Sequence, residues 1–196
     1  HAVFELLCGM YKNIDRIAHG IKNHSLKGLF VREELKDVMR YRYPNLKINQ
    51  FTDECTAVIL FGDVFITDDI IDQICSHERE AIFYHGDQIV GIVLRSVLSE
   101  DYILDENLLD SLDLDQVYVE SIIPEGIWSL PLLNDEMIKR DFANLGKNLH
   151  LSKIDNHVAM INPDHIYIGE DVVIEPFVLL DASKGHVFIG DNCRIS

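Results

Sequence analysis

The sequence predicts an α/β domain followed by the opening turns of a parallel β-helix. Three observations carry this. Near the C-terminal end Ile168, Ile174, Leu180, Ile189 and Ile195 follow one another at steps of 6, 6, 9 and 6 residues. A six-residue period is neither the 3.6 of a helix nor the 2 of a strand; it belongs to a triangular prism whose faces are short strands with one apolar position pointing inward. Upstream, helix-like and strand-like stretches alternate, as in layered α/β proteins. Finally, Cys55–Phe61 (CTAVILF) is apolar without alternation, as expected of a strand buried on both faces of a parallel sheet.

The elements follow in order. Val3, Leu7, Met10, Ile14, Ile17 and Ile21 step by 4, 3, 4, 3 and 4, one face of an amphipathic helix whose start Gly9 can delay. Val31, Leu35, Val38 and Met39 repeat the pattern until Pro44 stops it. After the 55–61 strand, Thr67 is placed to cap a helix running to about Glu78, with Asp68 and Asp69 at the positive end of its dipole. Residues 81–85 and 88–95 read as a hairpin around Gly86-Asp87, and Val117–Ile122 as a further strand. Leu130–Leu145 reads as a helix with Pro131 in its first turn and Gly146 as its stop. Residues 147–165 lead into the repeat, where Ile168-Gly169-Glu170 and Ile189-Gly190-Asp191 mark equivalent places.

The expected division is 1–150 for the α/β domain and 151–196 for the repeat, in a chain of 196 residues that is 47% hydrophobic and 26% charged. A prism of this kind needs about three stacked turns to bury its interior. Here one turn and two faces of the next are read, and the chain starts at His1, so further sequence is expected on both sides. No apolar run reaches the length of a membrane span and no leader is recognisable, so no membrane partner and a cytoplasmic location are expected. Cys8, Cys55, Cys75 and Cys193 lie far apart without metal-ligand spacing, and reduced thiols are expected. The net charge of −16 argues against nucleic acid. Residues 1–50 nevertheless carry a net +4, which suits either a phosphorylated small ligand or solvated helix faces.

The candidate chemistry centres on Gly62 and Asp63. In an α/β sheet ligands bind beyond the carboxyl ends of strands. Asp63 stands at such an end, and Gly62 before it permits a turn or the close approach of a ligand. A carboxylate there is a natural Mg²⁺ ligand, because that ion takes one or two carboxylates together with substrate phosphates. A plain turn is the alternative. Arg95, at a strand end, is a second candidate beside the reading of a solvated arginine; His165 and His186 read as loop-surface residues, Trp128 as a packing anchor, and Tyr41 and Tyr43 as cover for a core edge.

The strand end Ile59-Leu60-Phe61-Gly62-Asp63, the segment Ile127-Trp128-Ser129-Leu130-Pro131 with Asn134–Phe142, and the repeat start Asn162–Gly169 together resemble the bacterial sugar nucleotidyltransferase family, of the bifunctional glucosamine-1-phosphate uridylyltransferase/acetyltransferase type. The resemblance spans almost the whole chain, and Asp181–Gly185 resembles the short loop such proteins carry between early coils. It implies a Rossmann-like nucleotidyltransferase domain and a left-handed β-helix of hexapeptide repeats. The implied enzyme transfers a nucleotidyl group from a nucleoside triphosphate to a sugar-1-phosphate, releasing pyrophosphate with Mg²⁺ on Asp63 and Gly62 at the nucleotide, and forms a homo-oligomer through the β-helix. It also implies a phosphate-binding strand and loop before His1, so the 196-residue chain alone is expected to be inactive. The family commonly has Arg-Pro where this chain has His1-Ala2, and often Arg where it has Leu7. Two alternatives stand beside this reading: an acyltransferase site in coils beyond Ser196, or a non-catalytic module that binds sugar nucleotides and oligomerises.

Overall fold

The structure, a computed structural model, describes residues 2–21, 24–50, 57–95, 114–144 and 154–196. It is a mixed α/β protein whose backbone forms two compact units, one of residues 1–6 and 12–125, the other of residues 7–11 and 126–196. The expected junction near His150 falls outside the described residues, as do Cys55 and Gly146. No helix among the described residues is long and apolar enough to cross a membrane.

The N-terminal stretch is not one helix. A 3-10 turn (Val3–Glu5) leads to two short paired strands, β1 (Leu7–Cys8) and β2 (Tyr11–Lys12), and only then does α1 (Asn13–Gly20) begin. Gly9 sits between the strands at φ +74°, a conformation open to glycine and closed to a helix interior. The apolar 3–4 period continues through this break, and the backbone does not.

In the first unit, β3 (Gly28–Leu29) pairs in parallel with β4 (Lys47–Ile48) across α2 (Lys36–Arg42). Ala2, Ile14, Leu29, Met39 and Ile48 form one small core there. The main sheet has the order β5-β7-β6-β8, from β5 (Ala57–Leu60), β6 (Ala81–His85), β7 (Gln88–Leu94) and β8 (Asp115–Tyr118). Its β6–β7 hairpin turns at Gly86 (φ +57°), as its Gly-Asp pair predicts. Among the described residues β5 is an edge strand, half-buried and antiparallel to β7, not a strand buried on both faces of a parallel sheet. Among the described residues β6 and β7 are the strands that feed both cores of the sheet: Ala81, Phe83, Val90 and Val93 lie in one, and Ile82, Ile92 and Leu94 in the other. α3 (Asp68–Cys75) covers one face with Ile70, Ile71 and Ile74; Thr67 holds the cap position in extended backbone without a side-chain bond to the helix.

The second unit holds α4 (Leu130–Asn144), entered by a 3-10 turn at Ile127–Ser129. Six short strands follow: β9 (Ala159–Ile161), β10 (Ile166–Ile168), β11 (Val173–Ile174), β12 (Leu179–Asp181), β13 (Val187–Ile189) and β14 (Arg194–Ile195). Each of the first three pairs in parallel with the strand three places later, so Met160 lies beside Leu180, Ile168 beside Ile189, and Ile174 beside Ile195. Ile166, Ile168, Ile174, Leu180, Ala182 and Ile189 form their shared interior, with Met160 and Ile195 at its margin. The six-residue period is thus an inward-facing column. β9 adds a strand ahead of the expected first face, because the turn at Asn162–His165 lengthens one corner and hides the period there.

Candidate functional site

The chain leaves β5 at Leu60 and turns over Phe61–Val64, with the Val64 N–H donating to the Phe61 carbonyl at 3.4 Å. Asn13, at the start of α1, fixes this turn from inside: its Nδ2 donates to the Gly62 carbonyl at 3.0 Å and to the Val64 carbonyl at 2.8 Å. Asn13 is 1% exposed, and its Oδ1 is buried without a hydrogen-bond partner. A polar side chain that deep is kept because an unmet backbone carbonyl would cost more. Gly62 is explained by packing: a Cβ there would lie 2.9 Å from the Cβ of Phe4. The close approach at this glycine is made by the protein's own side chain.

Asp63 stands exposed at the tip of the turn, and its Oδ2 accepts from Gln88 Nε2 at 3.1 Å. Among the described residues no three or more His, Cys, Asp or Glu side chains group to hold a metal. One exposed carboxylate that accepts from a neutral amide still fits a Mg²⁺ ion that brings substrate phosphates as its other ligands.

Other residues singled out from sequence have structural partners. Arg95 donates through Nη2 to the His77 carbonyl at 2.6 Å, while its N–H bonds Glu80 Oε1 at 2.8 Å, tying the end of β7 to the loop before β6. Several of the basic residues of 1–50 are paired: Lys36 with Glu33, Arg40 with Asp37, and Arg42 with Glu5 at 2.6 Å. Arg16 is buried with its guanidinium over the Phe65 ring. Burial alone would raise the Glu5 carboxyl, but Arg42, the Ala2 N–H and Tyr43 together outweigh it and hold that carboxyl below its ordinary value. Tyr43 covers the small core, as expected, whereas Tyr41 is exposed. Trp128 is 72% exposed with its ring over Gly126, not an interior anchor.

In the second unit Leu7 is 64% exposed. The residues beside it are clasped to α4: Gly9 N–H donates to Asn134 Oδ1 and Met10 N–H to the buried Asp141 Oδ2, each at 2.8 Å. His165 is exposed as expected, but His186 is half-buried, stacked on His165 and against Phe142 of α4.

A cleft of about 420 Å³ in the first unit, lined by Ile21, His24, Asp69, Ile71, Asp72 and Cys75 among others, contains none of the expected site residues. Burial first, and Asp72 second, push the Cys75 thiol up, which keeps it protonated and unreactive. The sequence shows Asp69 only as a first-turn helix residue. No protein-family model matches the chain, and no curated protein matches it.

Proposed function

We propose that the protein is a sugar nucleotidyltransferase, transferring a nucleotidyl group from a nucleoside triphosphate to a sugar-1-phosphate with release of pyrophosphate. The observation that carries this reading is Asp63, exposed on an internally braced turn at the carboxyl end of β5. In the proposed enzyme the mixed sheet belongs to a Rossmann-like domain, and the paired strands β9–β14 are the first coils of a left-handed β-helix that assembles copies of the chain.

The chemistry asks the protein to align two anionic reactants and to offset charge at the α-phosphorus, with little covalent work. Mg²⁺, when bound, supplies that charge and polarises the phosphate oxygens. Asp63 would hold the ion, and the Asn13 bonds would keep its turn from swinging. Gln88 steadies one carboxylate oxygen.

The test is a pyrophosphate-release screen of the complete protein across nucleoside triphosphates and sugar-1-phosphates with Mg²⁺, comparing wild type with Asp63→Ala. The exposed substitution should change stability by less than about 0.5 kcal/mol while abolishing release. Unchanged turnover removes Asp63 from the site. A specific observation favours a second reading, a non-catalytic sugar-nucleotide-binding module: the exposed position where an arginine could meet phosphate is Leu7. Saturable binding of a sugar nucleotide without pyrophosphate release is its signature.

A further inference from the structure

The sequence His165-Ile166-Tyr167-Ile168-Gly169-Glu170 returns as His186-Val187-Phe188-Ile189-Gly190-Asp191. Parallel register sets Ile166 beside Val187 and Ile168 beside Ile189. Ile166 and Ile168 are buried inward, so the alternate residues form a column on the opposite side of the strands. That column has two aromatic rungs. Tyr167 and Phe188 stack with ring centroids 4.9 Å apart at 17°, and His165 and His186 stack 4.6 Å apart at 23°. Phe142 of α4 meets the His186 ring at 4.5 Å.

We infer that the His165–His186 stack, capped by Phe142, is a pH-sensitive latch that holds α4 against the repeat when the His186 imidazole is neutral and lets it go when acid protonates that ring.

The first rung can carry no positive charge, whereas the second can carry two. Neutral imidazoles stack as ordinary aromatics, but two imidazolium rings at this separation repel. His186 Nδ1 is also buried without a partner. A neutral ring can leave its lone pair there; a protonated ring would place an N–H donor with no acceptor. Charges from each packed element enter. From α4 come Asp135 and Lys139, bonded to one another at 2.6 Å, and exposed Asp164 and Lys184 flank the two histidines in the chain. The His186 imidazole is held below its ordinary value of 6.5 by burial first, then by His165 and Lys139, with Asp135 opposing. Because the fold prefers neutral His186, the latch contributes fully above the unfolded value near 6.5 and is lost as pH falls below it.

The experiment is amide hydrogen exchange of α4 in the full chain at pH 7.5 and 5.0, corrected for intrinsic rates. Wild type should lose protection across α4 at pH 5.0, while His186→Phe, an aromatic that does not titrate, should keep it at both. Equal protection of wild-type α4 at the two pH values overturns the latch, as does His186→Phe losing protection in the same way. Should that variant fail to fold, NMR titration of the wild-type histidines decides: His186 must take its proton below the unperturbed value and together with the α4 resonance shifts. Titration at or above that value refutes the proposal.

Discussion

Gly9→Ala should unfasten the β1–β2 turn from α4, and the cost can be built from the structure. Gly9 sits at φ +74°, where an L side chain costs about 1–2 kcal/mol. Its Cβ would also collide with Asp141 Oδ2 and lie 2.9 Å from the Met137 Cβ and 3.0 Å from the Met137 carbonyl carbon, which is helix backbone and cannot yield. Asp141 must therefore withdraw from the Met10 N–H it now accepts at 2.8 Å. Losing a hydrogen bond to a buried charged group costs about 1.5–3 kcal/mol. Together the effects reach about 2.5–5 kcal/mol, a large share of a typical domain's stability of roughly 5–15 kcal/mol. Trp128, the chain's single tryptophan, lies in the same unit and reports on it by fluorescence. At a urea slope of about 1–3 kcal/mol/M the midpoint should fall by roughly 1 M or more. Leu7→Ala, two residues away but exposed, is the control and should shift stability by less than about 0.5 kcal/mol. A Gly9→Ala midpoint that matches wild type refutes both the turn conformation and the carboxylate clasp.

Glu5→Gln should destabilise the first unit by about 1–2 kcal/mol at neutral pH, the lower end of a buried charged contact because Arg42 is partly exposed. The native Glu5 carboxyl lies below its ordinary 4.5, so the advantage is present above that value and disappears as pH falls through the folded one. Thermal unfolding of both forms from pH 7 to 3 should show the gap narrowing in acid; a gap that does not shrink as pH falls below 4.5 rules out the ion pair as its source. Phe177→Asn should stabilise the second unit by about 1 kcal/mol, since Phe177 holds φ +70° with its ring 84% exposed, while other corners of the repeat place Asn162, Asp171 and Asn192 in that conformation. A lower melting temperature would mean that its ring contact with His157 outweighs the backbone relief.

Parts of the fold governed by local chemistry were legible in the sequence. Gly86-Asp87 between apolar runs marks a hairpin whether or not anything else is known, and Pro131 marks the opening of α4. The inward isoleucines were legible because stacked strands repeat one position. What escaped was decided at long range. An apolar 3–4 period over residues 3–21 cannot register that Asn134 and Asp141 reach back to seize the Gly9 and Met10 amides. Apolarity of residues 55–61 says that a strand is covered, not by what, and it is the β6–β7 hairpin whose strands feed both cores.

The candidate site divides along the same line. Asp63 was legible as a carboxylate past a strand end, but Gly62 read as room for a ligand when Phe4 fills that room. Asn13 carries a signal of its own: a carboxamide at the head of an apolar helix face must find partners once buried, and the carbonyls of Gly62 and Val64 are what it finds. The histidines needed more than residue type. His165 and His186 look like unrelated loop residues until the lengthened corners at 162–165 and 182–186 are both in place. A corner shorter by one residue would set His186 one place out of register, and because strand faces alternate, the ring now against Phe142 would turn toward the isoleucine interior. The spacing of the two histidines therefore does the selecting: the same residues at another separation would bury an imidazole among aliphatic side chains instead of stacking one on its twin.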